Sequence, residues 1–312
     1  MRPEPRPRDV TAVVFAAGLG TRLLPMTAAV PKALVTILDV PLVDLAVAAV
    51  STVTSRIVVN AGHLAGSLTG HLQGAQVDVF VEEPAPYGNA ATLRAVLDRA
   101  GGTVITYNCD LVSDLDVGLL LDAHRRGGRV ATLACKPVNA GADFVADGDS
   151  LRLIHRRSRS VAGQLFLGAA CFEREALTAI PRDRPLGLLE GLIEPLLTSD
   201  AIHVYEHDGY AKDAGTFRSL LEISRDALDG AIAIPFPGDV VTTPLGRGYV
   251  GPGARVAHES IGRDAVVGAG AFVHPEARIA SSLVWSDENV PEVELRNCIF
   301  FRGAVISVDM PP

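Results

Sequence analysis

Short β-branched runs alternate along the first two thirds of the chain with longer stretches whose apolar residues recur at helical spacing. Residues 11–15 (TAVVF) are continuously apolar or β-branched and end at Ala16-Ala17-Gly18, the pattern of a buried parallel strand entering a loop. Residues 41–51 then read as a helix, 56–60 (RIVVN) as a strand and 65–72 as a helix. The alternation continues through strands at 77–81, 104–107 and 130–135, with helices at 89–99 and 116–126 between them. Such βαβα order predicts an α/β fold with a Rossmann-like, doubly wound and mainly parallel sheet. Over 143–159 the periodicity weakens and charge rises, which predicts a loop or hairpin excursion at the sheet edge, placed to act as a lid or substrate wall. Periodicity returns in 165–172, after Glu173, after Leu186, in 201–205 and in 216–229. The pattern closes a first domain over 9–230. A linker is expected over 231–246, where Pro235, Pro237 and Pro244 limit regular pairing.

Beyond the linker the period changes. VGPGAR from Val250, IGRDAV from Ile261, VGAGAF from Val267, VHPEAR from Val273 and IASSLV from Ile279 repeat every six residues after one five-residue irregularity. An aliphatic residue opens each hexad and a small one stands fifth in most. This pattern predicts a parallel β-helix over 247–312, whose stacked coils keep those positions inside.

Composition narrows the partners. The chain has 312 residues, 48% hydrophobic and 21% charged, enough apolar sequence for a large core. Its formal net charge is -8, with no Lys/Arg block to neutralise a polymer of phosphates, so neither DNA nor RNA is an expected partner. Cys109, Cys135, Cys171 and Cys298 form no C-x-x-C pair and are expected as reduced, buried thiols. The opening MRPEPRPRDV has no apolar h-region, and no run of eighteen apolar residues follows, so a cytoplasmic location without membrane insertion is expected. Of the 28 basic residues only Lys32, Lys136 and Lys212 are lysines, which makes each one informative.

The densest chemistry lies at 16–34, A-A-G-L-G-T-R-L-L-P-M-T-A-A-V-P-K-A-L. Glycines after a strand let backbone N–H groups approach negative charge. Arg22 offers a planar fork and Lys32 a point charge within ten residues, a combination suited to a triphosphate. A dinucleotide-binding turn needs a third glycine that is missing. Asp39 stands where its ribose acid would, but Pro25, Pro31 and Lys32 interrupt the helix that reading requires. No G-K-[ST] follows, so this is not a P-loop.

The stretch from Gly18 to Leu34 resembles the signature of sugar-phosphate nucleotidyltransferases, the NDP-sugar pyrophosphorylases, and most closely that of mannose-1-phosphate guanylyltransferases with a C-terminal left-handed β-helix. The resemblance implies a nucleotide site at Ala17, Gly18, Gly20, Thr21 and Arg22, with Arg22 and Lys32 on the triphosphate. It also implies magnesium held by two carboxylates: Asp110, closing the strand V-I-T-Y-N-C-D, and Asp213 in Y-A-K-D-A-G-T. The run E-E-P-A-P-Y-G-N at 82–89 resembles the base-reading loop, giving Glu83, Gly88 and Asn89 as nucleotide contacts. A carboxylate at Glu83 accepts from both N1–H and the amino group of guanine, which favours GTP, while Asn89 replaces the usual Thr or Leu and leaves the base open.

The sugar side departs from the family. Its usual E-K pair reads His155-Arg156-Arg157, with Arg157 able to substitute electrostatically, and its N-A-G reads Phe166-Leu167-Gly168. Asn108, Gly141, Arg157, Gly168, Glu190 and Lys212 are the expected sugar-phosphate contacts, and the acceptor is expected to be a sugar-1-phosphate or a related cyclitol or heptose phosphate. Competing readings are a cytidylyltransferase for a small alcohol phosphate, prompted by Tyr87-Gly88-Asn89, and a non-catalytic nucleotide-sugar-binding regulatory relative, prompted by the altered sugar residues. Hexad repeats also build acyltransferases, but this run is short and His258 and His274 lie at turn-like positions. The β-helix is instead expected to assemble a homo-oligomer.

Overall fold

The structure is a computed structural model, describing residues 10–83, 87–154, 161–181, 185–197 and 200–309. The chain divides into two compact units: one of residues up to Leu19, Pro31–Ala33 and Val43–Ala211, the other of Gly20–Val30, Leu34–Leu42 and Lys212 onward. The second unit therefore takes residues 212–230 and two pieces of the signature region that the sequence pattern assigned to 9–230.

The first unit is built on a nine-stranded sheet. Its strands are β1 (Val10–Phe15), β2 (Ile57–Ala61), β3 (Asp78–Val81), β4 (Thr103–Asn108), β5 (Ala131–Val138), β6 (Phe144–Asp147), β7 (Ser150–Ile154), β8 (Gly163–Glu173) and β9 (Ile202–Glu206), in spatial order β3-β2-β1-β4-β8-β5-β9-β7-β6. β1 is buried along its whole length, as its unbroken apolar run requires of a strand covered on both faces. It runs parallel to β2 and β4, with Phe15 opposite both Asn60 and Asn108. The C-terminal ends of three parallel strands thus meet at one edge, where open α/β sheets carry their ligands.

The expected mainly parallel sheet is in fact mixed. β8 runs antiparallel to both β4 and β5, and β7 runs antiparallel to both β9 and β6. A central strand is apolar on both faces whichever way it runs, so its direction is not written in its hydrophobicity. Within the excursion expected at 143–159, residues 144–154 form the hairpin β6–β7, and 155–159 lie outside the described residues. Helix α1 (Leu42–Ser51) follows the signature region, and α2 (Ala65–His71) and α3 (Asn89–Ala95) follow β2 and β3; α3 ends four residues before the expected limit, in a 3-10 turn at Leu97–Arg99. Helix α4 (Val117–Gly127) starts where Asp116 accepts from Gly118 N and Leu119 N, and stops at left-handed Gly128. Phe172, Leu133, Leu93 and Val104 sit in one core without exposure, each such large side chain contributing roughly 1.5–3 kcal/mol by leaving water.

In the second unit, residues 231–246 are not a plain linker. Asp239–Thr243 forms a strand antiparallel to Gly246–Val250. From there short parallel ladders follow, and the paired residues lie seventeen positions apart, Tyr249↔Val266, Val267↔Val284 and Val273↔Val290. Three whole hexads span eighteen positions; of these pairs Tyr249↔Val266 crosses the five-residue irregularity, and the other two fall one short within the later repeats. The hexad-opening Ile261, Val267, Val273 and Ile279 share one apolar cluster with Ala265, Ala271 and Ala277, the fifth positions.

Asp39 belongs to the same unit. It sits at the turn between the short strands Thr36–Ile37 and Val40–Pro41 with φ of 63°, a left-handed conformation that Asp tolerates better than most residues. Its carboxylate accepts from Tyr249 Oη at 3.0 Å, Ala269 N at 2.9 Å and Ser286 Oγ at 3.1 Å. Burial and the adjacent carboxylate raise the Tyr249 pKa, keeping the phenol a donor. All four cysteines are free and buried. Among the described residues no helix is long and apolar enough to cross a membrane.

Candidate functional site

Where β1 ends, the chain keeps hydrogen bonding through a side chain. Ala16 N and Ala17 N both donate to Asn60 Oδ1, at 2.5 and 3.2 Å, so the first turn of the signature loop is tied to the end of β2. Gly18 follows, exposed, and a Cβ there would meet nothing within 4 Å. On the other side of β1, Cys109 N donates to Phe15 O at 3.1 Å, which extends the β1–β4 ladder and delivers Asp110 to the same strand ends. Lys32 Nζ makes a short ion pair with Asp110 Oδ2. Only 11% of the lysine side chain and 17% of the aspartate side chain are exposed. A pair this far from water is held more strongly than a surface pair, and removing either partner strands the other.

The segment expected to read the base is organised by Glu82 rather than Glu83. Glu82 is 3% exposed and follows β3, whereas Glu83 is exposed and contributes its carbonyl to Tyr87 Oη at 2.9 Å. Gly88 has φ of 80°, and a Cβ on it would run into the Leu186 carbonyl, which accepts from Ala90 N. Glycine is therefore required there. Asn89 opens α3.

Of the residues expected to contact the sugar phosphate, Gly168 (φ 92°) lies against Asn108: a Cβ would fall 2.5 Å from Asn108 Nδ2. Two of the expected contacts are thus brought together. Gly141 occupies an exposed turn at φ 76°. Glu190 lies in the π-helical turn Leu189–Ile193 and lines, with Leu186 and Pro195, a cavity of about 210 Å³. Arg157 lies outside the described residues.

The second unit carries the remaining predicted groups. Leu23 and Met26 are wholly buried and anchor residues 20–30, Thr27 Oγ1 donates to Gly20 O at 2.8 Å, and Thr21 and Arg22 face solvent. Arg22 Nη2 lies 3.4 Å from Asp213 Oδ1, with both side chains more than half exposed. Such a pair holds ~0–1 kcal/mol and yields readily to a phosphate. A Cβ on Gly215 would collide with both members, so the glycine of D-A-G-T leaves room for them. Lys212 Nζ donates to Asp226 Oδ2 at 2.6 Å with Glu222 at 3.7 Å, which directs it toward the helix Phe217–Leu228. Lys136 donates to Gly209 O at 2.8 Å, so each lysine has a defined partner.

Asp110 and Asp213 offer carboxylate oxygen, the donor chemistry magnesium prefers. Among the described residues no group of three or more His, Cys, Asp or Glu forms a ready-made metal cage.

Sequence reasoning missed Asn60, Glu82 and Thr92. The available signal was an Asn closing an otherwise apolar strand and an acid one residue past the next strand.

Comparison with known proteins places this geometry. A mannose-1-phosphate guanylyltransferase of Mycobacterium tuberculosis is 25% identical over 305 residues, covering 90% of this chain and 81% of its own. A glucose-1-phosphate thymidylyltransferase of Streptomyces antibioticus is 29% identical over 280 residues, covering 83% and 78%. Among solved structures, HddC from Yersinia pseudotuberculosis complexed with GMP-PN is similar in fold, with a TM-score of 0.57 at 18% identity over 69% of this chain and 98% of that one. Residues 12–182 match the model of the MobA-like NTP transferase domain. That span is more than half of the chain and holds most of β1, the Lys32–Asp110 pair and the Asn60–Glu82 contacts, and the protein belongs to the MobA-like NTP transferase family.

Proposed function

We propose that this enzyme transfers a nucleoside monophosphate from an NTP to a sugar-1-phosphate or a related cyclitol or heptose phosphate, giving an NDP-sugar and pyrophosphate. The observation that carries the reading is the shielded Lys32–Asp110 pair at the ends of β1 and β4, beside the glycine loop of a nucleotidyltransferase domain.

The acceptor needs no activation. A phosphate oxygen attacks the α-phosphorus in line, the new P–O bond forms as the bond to the bridging α–β oxygen breaks, and pyrophosphate leaves with the electron pair. The protein holds two anions together and offsets the charge that builds between them. Lys32 and Arg22 bind the triphosphate and leaving group, with Ala17, Gly18, Gly20 and Thr21 supplying backbone and hydroxyl contacts. Asp110 and Asp213 are the carboxylates that would hold magnesium, which supplies Lewis-acid charge and a template for phosphate oxygens. Glu83 and Asn89 face the base and favour GTP, because guanine alone presents two adjacent donors to a carboxylate. The relatives named guanylyltransferase and the GMP-PN complex of a similar fold support that choice. Asn108 and Gly168 form the acceptor wall. The C-terminal ladders make the coils of a left-handed β-helix that assembles copies of the chain.

The test is pyrophosphate release with magnesium across ATP, GTP, CTP, UTP and dTTP, each against a panel of sugar, heptose and cyclitol phosphates. Release that depends on GTP and one acceptor is expected. Release without an acceptor, or none across the grid by folded protein that binds nucleotide, overturns the reading.

A further inference from the structure

Between the signature loop and the base-reading loop lies a buried polar chain that no direct substrate contact explains. Asn60 (2% exposed), Glu82 (3%) and Thr92 (0%) form it. Asn60 takes both N–H groups of Ala16 and Ala17 on its Oδ1 and donates through Nδ2 to Glu82 Oε1 at 2.7 Å. The same Glu82 oxygen accepts from Thr92 Oγ1 at 2.5 Å, and Glu82 Oε2 accepts from Tyr87 N at 2.9 Å. Thr92 N closes the circuit by donating to Gly88 O at 3.0 Å. Among the described residues no basic side chain pairs with Glu82, so its carboxylate is held by neutral donors alone.

A buried carboxylate without donors is severely penalised, and one with three is retained only where all three stay in place. The chain is therefore a stiff link, not an adaptable one. Its two ends are the backbone that receives phosphate and sugar (Ala16, Ala17, then Gly18) and the backbone that frames the base (Tyr87, Gly88).

Resting on the nucleotidyltransfer reading, we infer that Asn60 and Glu82 are positioning residues that set the spacing between the phosphate-binding turn and the base-reading loop. Base choice by this enzyme then depends on Glu82, which reaches no base, as well as on the exposed Glu83. Carboxamide at position 82 puts an N–H₂ against Asn60 Nδ2 or against Tyr87 N, so a donor faces a donor whichever way it is turned. The misfit moves the loop rather than the chemistry.

The experiment compares wild type with Glu82→Gln and Thr92→Val, the second removing one donor while keeping volume and the carboxylate. For each, KM and kcat are measured for GTP and for the next-best NTP, and the dissociation constant of each NTP is measured without acceptor. Loss of one hydrogen bond to a carboxylate predicts a rise of about tenfold or more in KM and dissociation constant for GTP in Glu82→Gln, with a smaller rise in Thr92→Val. The ratio of kcat/KM between GTP and the second NTP falls in both, while KM for the acceptor phosphate stays within about twofold of wild type, since no interaction energy at the acceptor is removed. An unchanged NTP preference in folded Thr92→Val, or a fall in kcat alone with every NTP, overturns the inference. If wild type itself transfers no nucleotide, the functional reading has failed instead, and the two failures are told apart by that control.

Discussion

Replacing Asp39 with Ala removes the acceptor of three hydrogen bonds at once. Two of the donors, Tyr249 Oη and Ala269 N, and the third, Ser286 Oγ, all lie in the C-terminal ladder region. Tyr249 has no exposed surface, so its hydroxyl loses the acceptor it donates to and keeps only its backbone contact with Gly238. Hydrogen bonds to a charged group contribute ~1.5–3 kcal/mol each, and they do not add in full around one carboxylate. Aspartate and alanine carry the same Cβ, so the φ of 63° adds no new crowding, and the lost hydrogen bonds alone set the expected loss at about 3–5 kcal/mol. Tyr249→Phe removes one donor and leaves two, so about 1.5–3 kcal/mol is expected there. The assay is urea denaturation followed by fluorescence of Trp285, the single tryptophan, which neighbours Ser286 and packs edge-on to Phe301 at 5.7 Å. A Trp285 transition for Asp39→Ala within ~0.5 kcal/mol of wild type refutes the reasoning, and so does an Asp39→Ala effect no larger than that of Tyr249→Phe.

Three further outcomes follow from the same geometry. Lys32→Met leaves Asp110 shielded and unpaired, and is expected to lower kcat/KM at least ~10²-fold with a loss of about 3–5 kcal/mol in stability, read by pyrophosphate release and urea denaturation. Gly168→Ala drives a methyl group into Asn108 at a left-handed φ; the acceptor KM should rise several-fold while the NTP dissociation constant holds. Glu173 has its pKa lowered, first by the hydrogen bond from His124 and against the opposing effect of burial. A depressed carboxylate contributes stability that is present above its unfolded pKa and lost as pH falls through the folded one. Glu173→Gln should therefore flatten the acid limb of stability below about pH 4.5, and an acid limb identical to wild type in pH-dependent denaturation contradicts that role.

Much of this was legible in residue order because both periodicities are enforced by burial. The openings and fifth positions of the hexads are the residues found in the ladder core, and the strand leading to Ala16-Ala17-Gly18 is buried throughout. What the sequence concealed was direction and partnership. Nothing in Gly163–Glu173 says that it enters the sheet antiparallel, since its neighbours cover both faces either way. Asp39 sat at the spacing of a ribose-binding acid, yet its carboxylate is consumed by Tyr249, Ala269 and Ser286, more than two hundred residues further along the chain. Glu82 and Glu83 are chemically the same letter; only the fold buries the first and exposes the second. The prolines at 231–246 marked a real interruption but did not prevent Asp239–Thr243 from pairing, because a strand at a ladder's edge tolerates them nearby.

The central claim is that the α-phosphoryl group, with its nucleoside, moves to a phosphate acceptor. The most direct measurement is the fate of label from α-labelled and γ-labelled GTP incubated with magnesium, mannose 1-phosphate or another accepted sugar phosphate, and either wild type or Asp110→Asn. The account predicts α-label in the NDP-sugar and γ-label in pyrophosphate with wild type, and neither product with folded Asp110→Asn. Label from the γ-position in the acceptor, or undiminished NDP-sugar formation by Asp110→Asn, would contradict it.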